Sequence, residues 1–308
     1  MLKTLIVAIL ATALLSTSGA WAWDGEGHMQ VAEIAWKHLT PASRARVSNL
    51  LKLNPNYATW IAHVPAAKRG QVAFVMAATW PDFIKSASGY TNDGDKAPAD
   101  PASSQNIGYA DHLMHRYWHF IDTPFSTDGT ALKQPVAPNA RTQIELFTAA
   151  IAGIDASDDI KSYDLVWLEH LVGDVHQPLH ATSRFSADLP SGDRGGNSVA
   201  LCSSPCKDEL HAFWDTVLGT SNLAATAIAA ADKLPAAPAA GAAVADDQVW
   251  IRESFEAAKQ FVYAAPVGPG AGPYTLNAAY KLRAKSEAKT RIELAGIRLA
   301  HLINANLK

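Results

Sequence analysis

Cysteine is nearly absent from this chain. Its 308 residues hold two, Cys202 and Cys206, separated by Ser-Ser-Pro. So small a complement excludes a disulfide-built scaffold and a four-thiolate metal cage. An exported chain would join the pair in a local disulfide that fixes a turn. Ligation of zinc by the pair is the weaker reading, because no further thiolate completes a site. Positive charge is also short: 26 Lys and Arg stand against 29 Asp and Glu, a formal net charge of −3. That balance excludes a global basic surface of the kind that grips duplex nucleic acid by its phosphates. A polyanionic substrate would need local attraction, which bound metal can supply. Beyond the first residues no run is long and apolar enough to cross a bilayer, so no stable membrane association is expected. No repeat of solenoid period occurs, and no composition shift demands a second domain.

What is present begins with a short apolar leader. Lys3 supplies a positive n-region, Leu5 to Leu15 an apolar stretch, and Ala20-Trp21-Ala22 a small-x-small cleavage site. Residues 1–22 therefore read as a secretory signal peptide, and 23–308 as one domain beginning at Trp23, periplasmic or extracellular. Along that domain the apolar spacing predicts helices over 28–52, with Thr40-Pro41 opening a second one. Further helices are predicted over 71–85, 139–155, 161–177, 250–263 and 274–307. Residues 86–105 are polar and rich in Gly, Pro and Asp, as a surface loop would be. The glycines and Cys-flanked turn of 191–210 predict a small β-hairpin, the only strands expected. The class is mainly α.

Function concentrates in the stretch LVWLEHLVGDVHQPLH, residues 165–180. His170 and Asp174 are four apart and share one face of a helix. Pro178 ends the helix, and His180 follows on the exit turn. A second His-x3-Asp pair, His211 and Asp215, lies downstream in HAFWD. An imidazole and a carboxylate one turn apart can converge on a cation, and two such pairs suggest a cluster of borderline cations, most simply zinc. Among the eleven histidines, His28 and His119 sit in similarly suggestive settings, as does Asp82 in Trp80-Pro81-Asp82. His112 and His115 compete with His119 as ligands; His119 is preferred because it alone precedes FID. His38, His63 and His301 read as ordinary.

These motifs, in order, resemble the single-strand-specific, zinc-dependent nuclease family of the S-one/P-one type. The resemblance rests on WDGEGH at 23–28, WPD at 80–82, HFID at 119–122, HLVGDVHQPLH at 170–180, GGN at 195–197, HAFWD at 211–215 and the closing AGIRLAHLIN. It implies a helical fold of the phospholipase C/nuclease type with three zinc ions. One ion would be held by Asp82, His119, His170 and Asp174. A second would take His28, Asp174 and the α-amino and carbonyl groups of Trp23. The third would take His180, His211 and Asp215. It further implies a monomeric hydrolase of phosphoric esters that cuts single-stranded DNA and RNA to 5′-phosphorylated products and attacks 3′-nucleotides. Phe120 and Asp122 match the family's base pocket, to which Asn197 can add. Lys85, three after Asp82, lies where family members can carry a basic residue. Asp82, Asp174 and Lys85 are the expected catalytic residues, and His176 is expected to hydrogen-bond behind the ligands. A zinc-dependent phospholipase C is the competing reading, since it shares the three-zinc architecture.

Overall fold

The computed structural model describes residues 23–204 and 207–307. Residues 1–22, the expected leader, and Cys206, with the expected Cys202–Cys206 pairing, lie outside the described residues. In chain order the first helices are α1 (Gly25–His38), α2 (Pro41–Leu50), α3 (Tyr57–Ile61), α4 (Arg69–Ala77) and α5 (Trp80–Phe83). After a long irregular stretch come β1 (Pro124–Ser126), α6 (Ala140–Ala152), α7 (Asp158–Asp174) and β2 (Ser183–Phe185). The remainder is α8 (Leu210–Thr216), α9 (Ala224–Ala231), α10 (Ala239–Ala242), α11 (Asp247–Ala257) and α12 (Ala278–Asn306).

The helix starts are set by side chains that satisfy orphan N–H groups. Asp24 caps α1, Thr40 caps α2 with Pro41 in its first turn, and Ser157 caps α7 ahead of Asp158 and Asp159. Asn139 opens α6 through a reciprocal capping box with Thr142.

Helix α7 is the hub. From Lys161 to Asp174 every residue is buried, so it has no solvent face. Helices α1, α2, α5, α6 and α12 pack around it. Its Gly173 lets α1 come close: a Cβ there would lie 2.8 Å from the His28 ring. The main core spans α1, α4, α6, α7 and α12, with Trp80, Trp118, Trp167 and Trp250 buried in it. A smaller cluster around Leu179, Leu210, Trp214 and Tyr280 underlies α8.

Two expectations are corrected. The helix foreseen over 71–85 is two, because the chain turns at Ala78 and Thr79 between α4 and α5. The strands are not those expected. Segment 191–210 does reverse, with Leu201 and Leu210 donating backbone bonds to Asp208 and Val199, but among its described residues it carries only one bridge, Ala200 opposite Glu209. The named strands are β1 and β2, paired in parallel with Phe125 opposite Arg184. They are joined because the turn after α7 is stitched to the segment after His119: Ile121 donates to the His180 carbonyl, and Ser183 to that of Thr123.

Candidate metal centre

The end of α7 brings the first donors together. His170 and Asp174 lie one turn apart, with His170 Nε2 3.3 Å from Asp174 Oδ2. His119 arrives from the loop before β1 and places Nδ1 3.1 Å from the same oxygen and 2.9 Å from His170 Nε2. Asp82, from α5, comes within 3.7 Å of His170 and 3.9 Å of His119. His28 enters from α1 through the gap left by Gly173. Its ring stacks on His170 at 3.8 Å, and its Nε2 lies 3.3 Å from Asp174 Oδ1. The Trp23 indole is fully buried and donates to the Gly173 carbonyl at 3.1 Å, one residue from Asp174.

A second cluster forms beside the first. Pro178–Ala181 is a short 3-10 turn that carries His180, and α8 carries His211 and Asp215. His180 Nε2 and His211 Nε2 stand 3.1 Å apart, and Asp215 is 3.4 Å from His211. Among the described residues three His/Asp triples could hold a cation: His28, Asp82 and His170; His119, His170 and Asp174; and His180, His211 and Asp215. His170 belongs to two of them, and His28 faces both Asp82 and Asp174.

The donor set passes a chemical test for metal. A carbonyl only accepts, so a ring nitrogen bonded to one must carry the proton. His170 Nδ1 donates to Ala78, His180 Nδ1 to His119 and His211 Nδ1 to Gly195, at 2.8, 2.8 and 2.6 Å. Burial pushes the His28, His119, His170 and His180 pKa values well below the ordinary range, so these rings are neutral. In the neutral ring the opposite nitrogen is then a bare lone pair. His180 Nε2 and His211 Nε2 stand 3.1 Å apart, a spacing at which one cation could take both. Two nitrogens on a tetrahedral zinc at its usual bond length of about 2.0–2.1 Å are roughly 3.3 Å apart, close to this separation. Buried carboxylates complete the case. Asp174 and Asp215 are pushed up strongly by burial, and Asp174 Oδ1 and Asp82 Oδ2 have no hydrogen-bond partner. Nitrogen and oxygen donors without thiolate suit zinc with open positions for substrate.

Above the clusters opens a pocket of roughly 390 Å³. His119, His180 and His211 line it together with Lys85, Phe120, Asp122 and Asn197. Lys85 Nζ pairs with Asp82 at 2.6 Å. Phe120 is half-buried against the core and shares the pocket with Asp122. Burial raises the Asp122 carboxyl to about 6, and neighbouring Asp193 adds to the rise. The amide nitrogen of Asn197 is committed to the Arg194 carbonyl at 2.7 Å.

The structure thus brings His28, Asp82, His119, His170, Asp174, His180, His211 and Asp215 together and sets Lys85, Phe120, Asp122 and Asn197 around the pocket, while the Trp23 indole bonds the Gly173 carbonyl. His115 joins neither group. It is buried but held by Asp111 at 2.8 Å and Asp93 at 3.3 Å, with its ring stacked on Trp118. His176 touches no ligand side chain; it bonds the Val172 carbonyl and Arg298, which corrects its expected role behind the ligands. Gln177 takes that role instead, donating to Asp215 Oδ1 at 2.6 Å. It was missed because a Gln between two histidines carries no spacing signal of its own. The rim residues Asp95, Lys96, Arg116 and Arg194 were also missed, being spread over three loops.

Fold and site together define a helical protein with clustered His/Asp donors, able to hold metal, on the floor of a pocket. Within that class the chain belongs to the S1/P1 nuclease family, whose sequence profile matches residues 23–308. Three relatives from Arabidopsis thaliana are similar to it. Endonuclease 4 is 26% identical over 222 residues, 67% of this chain and 58% of the relative. Endonuclease 1 is 26% identical over 228 residues, 69% of this chain and 59% of the relative. Endonuclease 3 is 26% identical over 229 residues, 72% of this chain and 63% of the relative. The matches thus span about three fifths of the relatives' own length.

Proposed function

We propose that this protein is an exported, zinc-dependent nuclease that hydrolyses single-stranded DNA and RNA to 5′-phosphorylated products and removes phosphate from 3′-mononucleotides. The observation that carries this reading is the convergence of bare imidazole nitrogens and buried carboxylates beneath a pocket that also bears Phe120 and Asp122. The residues that would hold three zinc ions are Asp82, His119, His170 and Asp174; Trp23, His28 and Asp174; and His180, His211 and Asp215. Zinc in such sites supplies Lewis acidity toward phosphate oxygens and lowers the pKa of water to roughly 7.

The remaining work falls to the chain itself. Asp174 lies within 3.3 Å of three imidazoles and ties the first two ligand sets together. Lys85, steered by Asp82, holds an ammonium group in the pocket, where it offsets charge gathering on the phosphate. Phe120 offers its face to a base and Asp122 an acceptor to the base edge. Stacking on Phe120 requires an unpaired base, which accounts for single-strand preference. Hydrolysis joins the oxygen of water to phosphorus and breaks the P–O3′ bond. The phosphate stays on the 5′ side, and the 3′ oxygen takes up a proton. The apolar leader at 1–22 supports export, with Trp23 the first residue of the working chain.

Metal analysis of the purified protein, run beside hydrolysis of single-stranded DNA, RNA, duplex DNA and phosphatidylcholine, tests the proposal. About three zinc ions per chain and a strong preference for the single-stranded polymers are expected. A metal content of one or none, or hydrolysis of the phospholipid alone, overturns it.

A further inference from the structure

Three loops meet at the mouth of the pocket. Asp95 stands on the irregular stretch after α5, Arg116 on the short turn before His119, and Arg194 on the glycine-rich loop before α8. Arg116 Nε donates to Asp95 Oδ1 at 2.7 Å, and Arg194 Nη2 to Asp95 Oδ2 at 3.2 Å. One carboxylate thus holds two guanidinium groups from distant parts of the chain. Lys96 lines the same pocket. Two arginines against one aspartate leave a local surplus of positive charge in a chain whose formal net charge is −3.

Stability does not explain the arrangement. The Asp95 and Arg194 side chains are 46% and 64% exposed, and exposed ion pairs contribute little. The backbone bears a cost to build it. Among the described residues only His115 and Arg194 are non-glycine residues with positive φ, at 46° and 56°. One is Arg194 itself; the other directly precedes Arg116. Uncommon backbone conformations of this kind persist where function needs a side chain aimed. A guanidinium carries five N–H donors in a fork that suits phosphate, and Asp95 engages one nitrogen of each.

We propose that Arg116 and Arg194, held on Asp95, form a subsite for a backbone phosphate next to the one being cleaved, and that this subsite makes the enzyme favour a strand over a mononucleotide. The inference rests on the nuclease reading above. A 3′-mononucleotide has only the phosphate that reacts, so it cannot use the subsite. A strand with its base on Phe120 brings a second phosphate to the mouth. Asp95 keeps the two forks apart and pre-set, so little side-chain freedom remains to be lost on binding.

The test compares Arg194→Ala, Arg116→Ala and the double variant with the unaltered protein, each checked for zinc content and thermal unfolding. On single-stranded oligothymidine, KM is expected to rise about tenfold per arginine, as the loss of a charge-assisted contact implies, with kcat within about twofold. Turnover of a 3′-mononucleotide is expected to stay within about twofold. Arg194→Lys keeps the charge but not the fork and should fall between. Binding of a charge-bearing, uncleavable phosphorodithioate oligothymidine gives a readout independent of activity. The slope of log affinity against log salt should become shallower by about 0.7 for each arginine removed. Unchanged KM and salt slope overturn the subsite while leaving the nuclease reading intact. Equal losses on strand and mononucleotide also overturn it and make the arginines positioning residues for the His119 loop. If the unaltered protein neither cleaves nor binds the strand, the nuclease reading itself fails and the subsite with it.

Discussion

Asp174 receives more of the site than any other side chain. His28 approaches one of its oxygens, and His119 and His170 approach the other. Burial disfavours its charge, so cations must supply the compensation. Asp174→Asn keeps the shape and removes that charge from two ligand sets at once. The variant is expected to lose zinc from both and to fall further in activity than any other single ligand change. Near-normal turnover with zinc retained would show that Asp174 bridges nothing. Asp122 carries a separate, pH-dependent role. Its folded pKa of about 6 lies above the ordinary 3.8, so the fold favours the protonated form. The stability this lends is present below about pH 3.8 and is lost as pH rises through about 6. Recognition runs the opposite way, because accepting a hydrogen bond from a base needs the ionised carboxylate. KM for single strands should therefore improve as pH climbs through about 6, and Asp122→Asn should flatten that limb. A limb that survives in Asp122→Asn assigns the titration to another group.

At the scale of elements, the irregular segments hold the rings that the helices present. The turn at Ala78 ends α4, and the carbonyl left there accepts from His170. The loop at Gly195 does the same for His211. Gly195 has φ of 59°, and a Cβ on it would come within 2.4 Å of the Leu179 carbonyl oxygen. A backbone atom cannot move aside as a flexible side chain would. Gly195→Ala is thus expected to displace the loop, free His211 Nδ1 and cost about one zinc ion per chain, with activity at least tenfold lower. Helical circular dichroism should be unchanged, since α7 and α12 are untouched. Zinc content and rate equal to those of the unaltered protein would mean the Gly195 carbonyl does not orient His211.

On the scale of the molecule, residue 23 is clamped between the two halves of the centre. Its indole bonds the Gly173 carbonyl behind Asp174, while the Asp24 backbone N–H donates to the Asp215 carbonyl at 3.0 Å. A free α-amino group and the adjacent carbonyl can chelate a metal in a five-membered ring, whereas an amide nitrogen is a poor ligand. The α-amino pKa of about 7.7–8.0 allows zinc to displace the proton near neutral pH. Cleavage after Ala22 would then complete one ligand set, so that export switches the enzyme on. A chain beginning at Trp23 should bind more zinc and hydrolyse single-stranded DNA far faster than one bearing a single uncleaved residue before it. Equal zinc content and rate in the two forms remove Trp23 from the ligands.

Much of this protein was settled by local sequence. Apolar periodicity marked the long helices, and Thr40-Pro41 marked where α2 begins, whereas the caps at Asn139 and Ser157 emerged only in the structure. The His-x3-Asp pairs of α7 and α8 were legible because a four-residue interval fixes a shared helix face whatever surrounds it. No interval encodes the approach of His28 to Asp174, which depends on α1 packing onto α7 across Gly173. The same is true of the parallel pairing of β1 with β2, the exchange of His176 for Gln177 behind the ligands, and the Asp95 clasp. Each joins residues that lie far apart along the chain or whose side chains could have turned elsewhere. Periodicity reports the direction of a side chain relative to its own backbone. Only the packing of one element on another decides what that side chain meets.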